Sequence, residues 1–211
     1  NWKLQVENLN DLTHAGATHR SSFMVVDSVT KPMPAPPIGV HRAAGLRVNG
    51  APLTVMDQLG VRTFDRGHSF IGGLPRPPRA GPLMDEYRRR LEQRHGKAET
   101  DRILSVDRHL NIIFPNLLTQ GMIGIVKVLT PLAPDRTETT VWPVRFKGAP
   151  DELFHYTIRG IANSNSVANF TLPDDLAMYR RCQEAVAAAP DAWIDFSRSI
   201  GDEVPDNDGG W

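Results

Sequence analysis

The spacing of apolar positions changes several times along the chain, and each change marks a different element. Over residues 1–19, Trp2, Leu4, Val6, Leu9 and Leu12 fall partly at intervals of three, a helical pattern that Gly16 is expected to interrupt. Residues 31–39 hold four prolines and cannot be helical, because proline removes a backbone donor and clashes with the preceding turn. Residues 40–72 read as short strands joined by turns, with Asn49-Gly50 in a hairpin position. A second breaker-rich loop, 73–82, leads into a helix from Pro82 to His95 that Gly96 ends. Tyr87, Leu91 and Arg94 share a stripe on it. A shorter helix is expected over Glu99–Val106.

From residue 109 the period shortens. Segments 109–115, 123–129 and 137–146 are rich in β-branched and aromatic residues and are separated by turns such as Ala133-Pro134-Asp135. They predict an antiparallel meander. Helix returns over 173–189, opened by Pro173 and Asp174-Asp175, with Leu176, Tyr179, Cys182, Gln183 and Val186 along one side. The acidic, Gly-rich tail from Gly201 to Trp211 reads as frayed. Helix, strands, helices, strands and a long helix make an α+β fold, with helices packed on one face of an antiparallel sheet.

Composition narrows the function. A length of 211 residues suits a single domain, and 40% hydrophobic with 23% charged residues is globular. Lys plus Arg and Asp plus Glu both number 24, which leaves no electrostatic case for nucleic acid or an anionic membrane as partner. Arg88-Arg89-Arg90 sits among Asp85, Glu86 and Glu92, a solvated helix face. No apolar run approaches the roughly 20 residues of a membrane span. One cysteine, Cys182, excludes an internal disulfide and points to a reducing, cytoplasmic setting. The chain opens without Met or a signal peptide, inside an apparently structured segment, and is expected to be a fragment of a longer protein.

The chemistry concentrates between Glu7 and His19. His14 and His19 are five apart, so a straight helix would set them about 140° apart around its axis, unable to share an ion. A break at Gly16 between them is expected to bring His19 back toward His14. Asp11 and His14 are three apart and share a helix face, placing Asp11 to bond the far nitrogen of an imidazole. Two histidines alone are more often surface or satisfied core residues than ligands, and imidazole suits iron, zinc and copper alike. Two histidines plus one carboxylate with open positions is the arrangement of non-haem Fe(II) oxygenases.

The wider pattern settles which expectation to carry. Asn1-Trp2-Lys3, Glu7-Asn8 and the D-x-x-H-x-x-x-x-H run of Asp11, His14 and His19 resemble the opening of the catalytic domain of Rieske oxygenase large subunits. Gly67-His68, Asp107-Arg108-His109-Leu110, Phe114-Pro115-Asn116, Pro173-Asp174-Asp175-Leu176 and Cys182-Gln183 are similar too. With Trp193 and Asp195-Phe196-Ser197-Arg198 they look closest to the benzoate, anthranilate and cumate branch. The resemblance covers residues 1 to about 200.

That resemblance implies a helix-grip fold, Bet v 1-like or START-like, in which an antiparallel sheet grips the long C-terminal helix. It implies a mononuclear Fe(II) held by His14, His19 and Asp175, with Asp174 as the alternative third ligand. Asp11 would be the acid that bridges to a neighbouring Rieske cluster, and Asn8 would stand near the metal. The two-iron, two-sulfur Rieske cluster needs two Cys and two His, so a chain with one Cys cannot build it, and its domain is expected before Asn1. The implied partners are an aromatic substrate, dioxygen, a ferredoxin or reductase, and copies forming a homotrimer or an α3β3 assembly.

For the pocket, His68, Leu104, Leu110, Ile112, Phe114 and Leu117 are the candidates. Strand alternation is expected to put Leu110, Ile112 and Phe114 on one face, though plain sheet core is the more common fate of such residues. Arg108 or His109 could meet a substrate carboxylate, with surface ion pairs the commoner role. Two other readings compete with hydroxylation of a carboxylated aromatic ring. A helix-grip module could carry an apolar ligand with no redox chemistry, but it needs no His-His-Asp set. A zinc hydrolase would need a general base at the metal, and no H-E-x-x-H motif is present.

Overall fold

The computed structural model describes residues 1–11, 13–22, 24, 60–72, 81–105, 108–121, 124–168, 171–195, 197, 200, 201 and 204. The proline-rich segment 31–39, the Asn49-Gly50 turn, most of the 73–82 loop, Asp107, Phe196 and most of the tail lie outside the described residues.

The N-terminal helical pattern resolves into two helices. α1 (Trp2–Asn10) starts at Asn1, whose side-chain oxygen accepts from the Lys3 amide at 3.0 Å. It stops at Asp11, where the backbone turns extended, and α2 (Thr13–Thr18) begins two residues later. The break therefore falls at Asp11 and not at Gly16, which lies inside α2. Asp11 Oδ1 accepts from the Thr13 amide at 2.8 Å, from the Thr13 hydroxyl, and from the His14 amide at 3.3 Å. A short carboxylate that satisfies the first amides of the next helix competes with continuation of its own.

Six strands follow one another in a single antiparallel sheet in chain order. They are β1 (Gly60–Phe64), β2 (His68–Gly72), β3 (Arg108–Ile113), β4 (Leu117–Gln120), β5 (Ile125–Ala133) and β6 (Arg136–Pro143). The meander expected from residue 109 onward is thus extended by the β1–β2 hairpin on one side. β4 was not separated from its neighbours in sequence, β5 runs four residues beyond the expected Leu129, and β6 ends at Pro143 instead of Phe146. The registers Ile71↔Leu110, Ile112↔Leu118 and Leu118↔Lys127 place these residues on one face. Ile71, Leu110, Ile112, Leu118 and Leu129 form the core there with Ala15 of α2, and Val6 and Leu9 of α1 pack against it.

α3 (Pro82–His95) and α4 (Lys97–Ser105) connect β2 to β3. Gly96 ends α3 with positive φ, as expected. The Arg88–Asp101 ion pair at 2.6 Å ties the two together, and Arg89 and Arg90 both meet Glu86 at 2.7 Å on the solvated face. α5 (Asp151–Ser164) lies against β6 and was missed in sequence, although Pro150 and the acidic pair Asp151-Glu152 mark its start. α6 (Leu172–Ala188) returns to α1 and α2. Its covered side differs from the expected stripe. Tyr179 and Gln183 face inward, whereas Leu176, Cys182 and Val186 are exposed. The inward stripe is polar because the site occupies it, and apolar spacing was the wrong guide. Among the described residues no helix is long and apolar enough to cross a membrane.

Leu118 sits at the centre of this sheet and is 1% exposed. Leu118→Ala is expected to lower unfolding free energy by about 2–5 kcal/mol, read from urea midpoints. Leu132→Ala, at a half-exposed position, should stay within about 0.5 kcal/mol.

Candidate metal centre

Three elements meet at one carboxylate oxygen. Asp175, in the first turn of α6, points Oδ1 at Nε2 of His19 (3.3 Å) and Nε2 of His14 (4.0 Å), and the Asn8 amide of α1 reaches it at 3.4 Å. One ligand atom from each of His14, His19 and Asp175 lies within 4.8 Å of the others. α2 ends at Thr18, and His19 sits at the bend just past it, its amide still bonded to the Ala15 carbonyl at 3.2 Å and its ring meeting that of His14 edge-on at 5.7 Å. The helix end thus supplies the convergence that Gly16 was expected to supply.

Both imidazoles are fixed from behind. His14 Nδ1 donates to the main-chain carbonyl of Asp11, and His19 Nδ1 donates to Asp174 Oδ2 at 3.2 Å, which also accepts from Ser22 Oγ at 2.7 Å. A carbonyl or carboxylate oxygen can only accept, so each Nδ1 carries a proton and each ring turns its Nε2 toward Asp175. The aspartate pair divides its labour: Asp175 joins the convergence, and Asp174 holds the back of His19.

A lone pair 3.3 Å from a carboxylate oxygen needs a positive charge between them. His19 is 3% exposed. Burial pulls its pKa down, but hydrogen bonds and charge from Asp175, then Asp174, outweigh burial and leave it above the ordinary 6.5. In the absence of metal, a proton on Nε2 is favoured by the same two carboxylates. Two imidazole nitrogens and one carboxylate oxygen, oriented from behind and partly buried, are a donor set that suits a divalent transition metal.

The remaining sequence-based candidates scatter. Asp11 caps α2 with its side chain while its carbonyl holds His14. Leu110 and Ile112 are buried in the core under α1 and α2. Phe114 lies beyond the end of β3 in the turn to β4, so strand alternation does not reach it. It is 43% exposed, with its ring 6.2 Å from that of Trp2. His68 and Leu117 point to the opposite face of the sheet from Leu110, and Leu104 is half-buried on α4. The side chains of Arg108 and His109 lie outside the described residues.

Several of these motif residues form a junction. The Phe114 amide donates to His68 Nδ1 at 3.0 Å, and Asn116 exchanges main-chain and side-chain bonds with Leu129. Gly67 sits at φ +80, where a side chain is strained, and a Cβ there would stand 3.1 Å from the Phe114 ring, closer than an ordinary contact. Sequence reasoning missed Ser22 and the inward-facing Lys127. Ser22 carries no distinctive signal. Lys127 does: it shares strand parity with the buried Ile125 and Leu129.

Residues 1–201 match the family described as "Ring hydroxylating alpha subunit (catalytic domain)". The chain is similar to the toluate 1,2-dioxygenase subunit alpha of Pseudomonas putida, at 30% identity over 190 residues, 89% of this chain and 39% of the relative. It is similar to the 2-halobenzoate 1,2-dioxygenase large subunit of Burkholderia cepacia at 27% over 202 residues, 94% and 40% of the two chains. The anthranilate 1,2-dioxygenase large subunit of Acinetobacter baylyi is 25% identical over 210 residues, 94% and 42%. The chain spans about two fifths of the length of these curated relatives. Among solved structures, a naphthalene 1,2-dioxygenase variant bound to phenanthrene shares the fold. Its TM-score is 0.60 at 20% identity, covering 88% of this chain and 40% of that one.

Two outcomes follow from the site's geometry. Asp174→Asn should weaken Fe(II) binding about 10–100-fold in anaerobic titrations, as loss of a histidine's rear partner does. The exposed Cys182→Ser change should leave it unaltered. The second concerns pH. A folded-state pKa raised above 6.5 contributes stability that is present below about pH 6.5 and lost as pH rises through the folded value. The metal-free protein should therefore melt lower as pH rises past that point. The Fe(II)-loaded protein should gain over the same range, because metal displaces the proton. Parallel melting curves at matched ionic strength check the crossover.

Proposed function

The chain belongs to the ring-hydroxylating alpha subunit family, over its catalytic domain, and from that premise we propose that it hydroxylates or cis-dihydroxylates a carboxylated aromatic ring. The observation that carries this reading is the convergence of His14 Nε2, His19 Nε2 and Asp175 Oδ1. On this reading residues 1–211 are the mononuclear-iron domain of a longer protein, with a Rieske domain before residue 1. Electrons come from a ferredoxin or reductase through that domain. The assembly is a homotrimer or an α3β3 complex in the cytoplasm. All three curated relatives are named for an aromatic acid: halobenzoate, toluate or anthranilate.

His14, His19 and Asp175 would hold Fe(II), which supplies the activation of dioxygen. The chain's own residues set the conditions for that chemistry. Asp174 and the Asp11 carbonyl keep each Nδ1 protonated and each Nε2 available. Asn8 donates to the Asp175 oxygen and limits its rotation. Asp11 stands directly behind His14, where a change of charge is felt at the ligand and where a neighbouring cluster's histidine would be received. The face beneath these residues is apolar, from Ile71 to Leu129, and suits exclusion of water from an aromatic ring. A helix-grip carrier of apolar ligands would use the same fold but has no need of this donor set.

Asp11→Asn separates the two duties of Asp11. Asparagine caps a helix about as well as aspartate, so the fold and the iron content of the full-length enzyme should be retained. Product formation from a benzoate panel, with saturating reductant, should fall about 100-fold or more, in the range seen when charge is lost next to a reacting centre. Wild-type turnover with full iron occupancy in this variant would remove Asp11 from the proposed role.

A further inference from the structure

Lys127 occupies a position where the pattern of its strand calls for a hydrocarbon. Ile125 and Leu129, its neighbours of the same parity on β5, are 1% and 0% exposed. Across the sheet it pairs with Leu118 and Val141 on the helix-covered face. α1 lies over this part of the sheet, with Gln5 Oε1 accepting from Thr139 Oγ1 at 3.1 Å. Burial pushes the Lys127 ammonium's pKa down, and the charge of Asp175 pulls it back up. Among the described residues no acceptor pairs with it within ion-pair distance.

A cation turned into an apolar layer is retained at a cost unless an anion meets it. Asp175, whose charge acts on Lys127, is already engaged with His14, His19 and Asn8. Iron held by Asp175 would commit that charge further and leave less of it for Lys127. The helix surface above is polar as well. Asp175, Tyr179 and Gln183 recur every four residues along α6, and Gln183 Oε1 and Thr137 Oγ1 are buried without a partner among the described residues. Tyr179 stays protonated, since burial and then the Asp175 charge push its pKa up, so it is a donor. A half-buried ammonium with no ion-pair acceptor among the described residues, on the sheet face that α1 and α2 cover, suits an anionic oxygen group.

We infer that Lys127 is a specificity-determining residue that receives the carboxylate of the aromatic substrate beside the metal centre. The inference rests on the function proposed above and assigns one residue to the substrate class. It places the acid group on the floor of the site, against β5, with the ring between that floor and the iron. No bond is made or broken by Lys127; it orients the ring by pairing with a charge that neutral arenes lack.

The test compares benzoate with benzamide, which match in shape and differ in charge. Dissociation constants are measured by calorimetry on the full-length enzyme and on Lys127→Met, Lys127→Arg and Lys127→Gln. Benzoate binding is expected to weaken about tenfold or more in Lys127→Met, the scale of a lost charge-assisted pair. Benzamide binding and iron content should be unchanged, and Lys127→Arg should keep most of the benzoate preference. If the methionine variant fails to fold, Lys127→Gln, of similar length and polarity, takes its place with the same expectation. Retention of the wild-type benzoate preference in the uncharged variant would overturn the inference and leave the proposed function standing. Equal loss of both ligands together with iron would also overturn it, making Lys127 a support for Asp175. A wild-type enzyme that binds neither arene and forms no hydroxylated product would fail the functional reading itself, and this inference with it.

Discussion

The structure depends on the contact between the first turn of α6 and His19. A buried imidazole is gripped at both nitrogens by consecutive aspartates, Asp174 at Nδ1 and Asp175 at Nε2. With Nδ1–H already donated to Asp174, the approach of Asp175 to Nε2 needs a positive charge between them, and a proton or a metal ion can supply it. The helix N-terminus contributes too, since its dipole favours carboxylates in the first turn. This one contact aligns α6 over α2, and with Asn8 and His14 it draws α1 into the same layer. The sheet beneath then has its helical cover, and the apolar face from Ile71 to Leu129 is closed.

Several parts of this arrangement were legible in the chain. The Pro82–His95 helix, ended by Gly96, the strands after residue 109 and the helix opened by Pro173 all carried local signals, and tertiary packing did not override them. The residues that converge, His14, His19 and Asp175, were singled out through a spaced motif rather than through physics alone. Their convergence was predicted by the wrong device: a hinge at Gly16 was expected, whereas Asp11 breaks the helix by capping the next one and His19 falls past its end. The inward face of α6 was misread because hydrophobic spacing was used on a helix whose covered stripe is polar. α5 was overlooked despite Pro150 and two acids at its start.

The pocket was the least legible part. Sequence reasoning took apolar residues at alternating positions as lining, but alternation reports which side of a sheet a residue is on, not what lies above it. Leu110 and Ile112 went to the core, His68 and Leu117 to the other face. Phe114 and Asn116 became fasteners, one packed on Gly67 and bonded to His68, the other joined to Leu129. A recurring motif can therefore mark a turn that must be held in shape as readily as a group that touches substrate. Lys127, the polar exception between the buried Ile125 and Leu129, was legible from strand parity and was passed over.

The partners in the His19–Asp174 contact are 155 residues apart in the chain, and Asn8 is 167 residues from Asp175. On a ribosome adding about 5–20 residues per second, roughly 8–30 s pass between synthesis of the histidines and arrival of the aspartates. During that interval the nascent chain can offer two imidazoles but not the third donor, and the sheet that separates them in sequence has to form first. Such non-local closure is slow and comes late in folding. On the proposed function, a metal ion would meet its third donor only once α6 has been made, and a chain cut short before Asp174 would offer it two imidazoles and no carboxylate from α6.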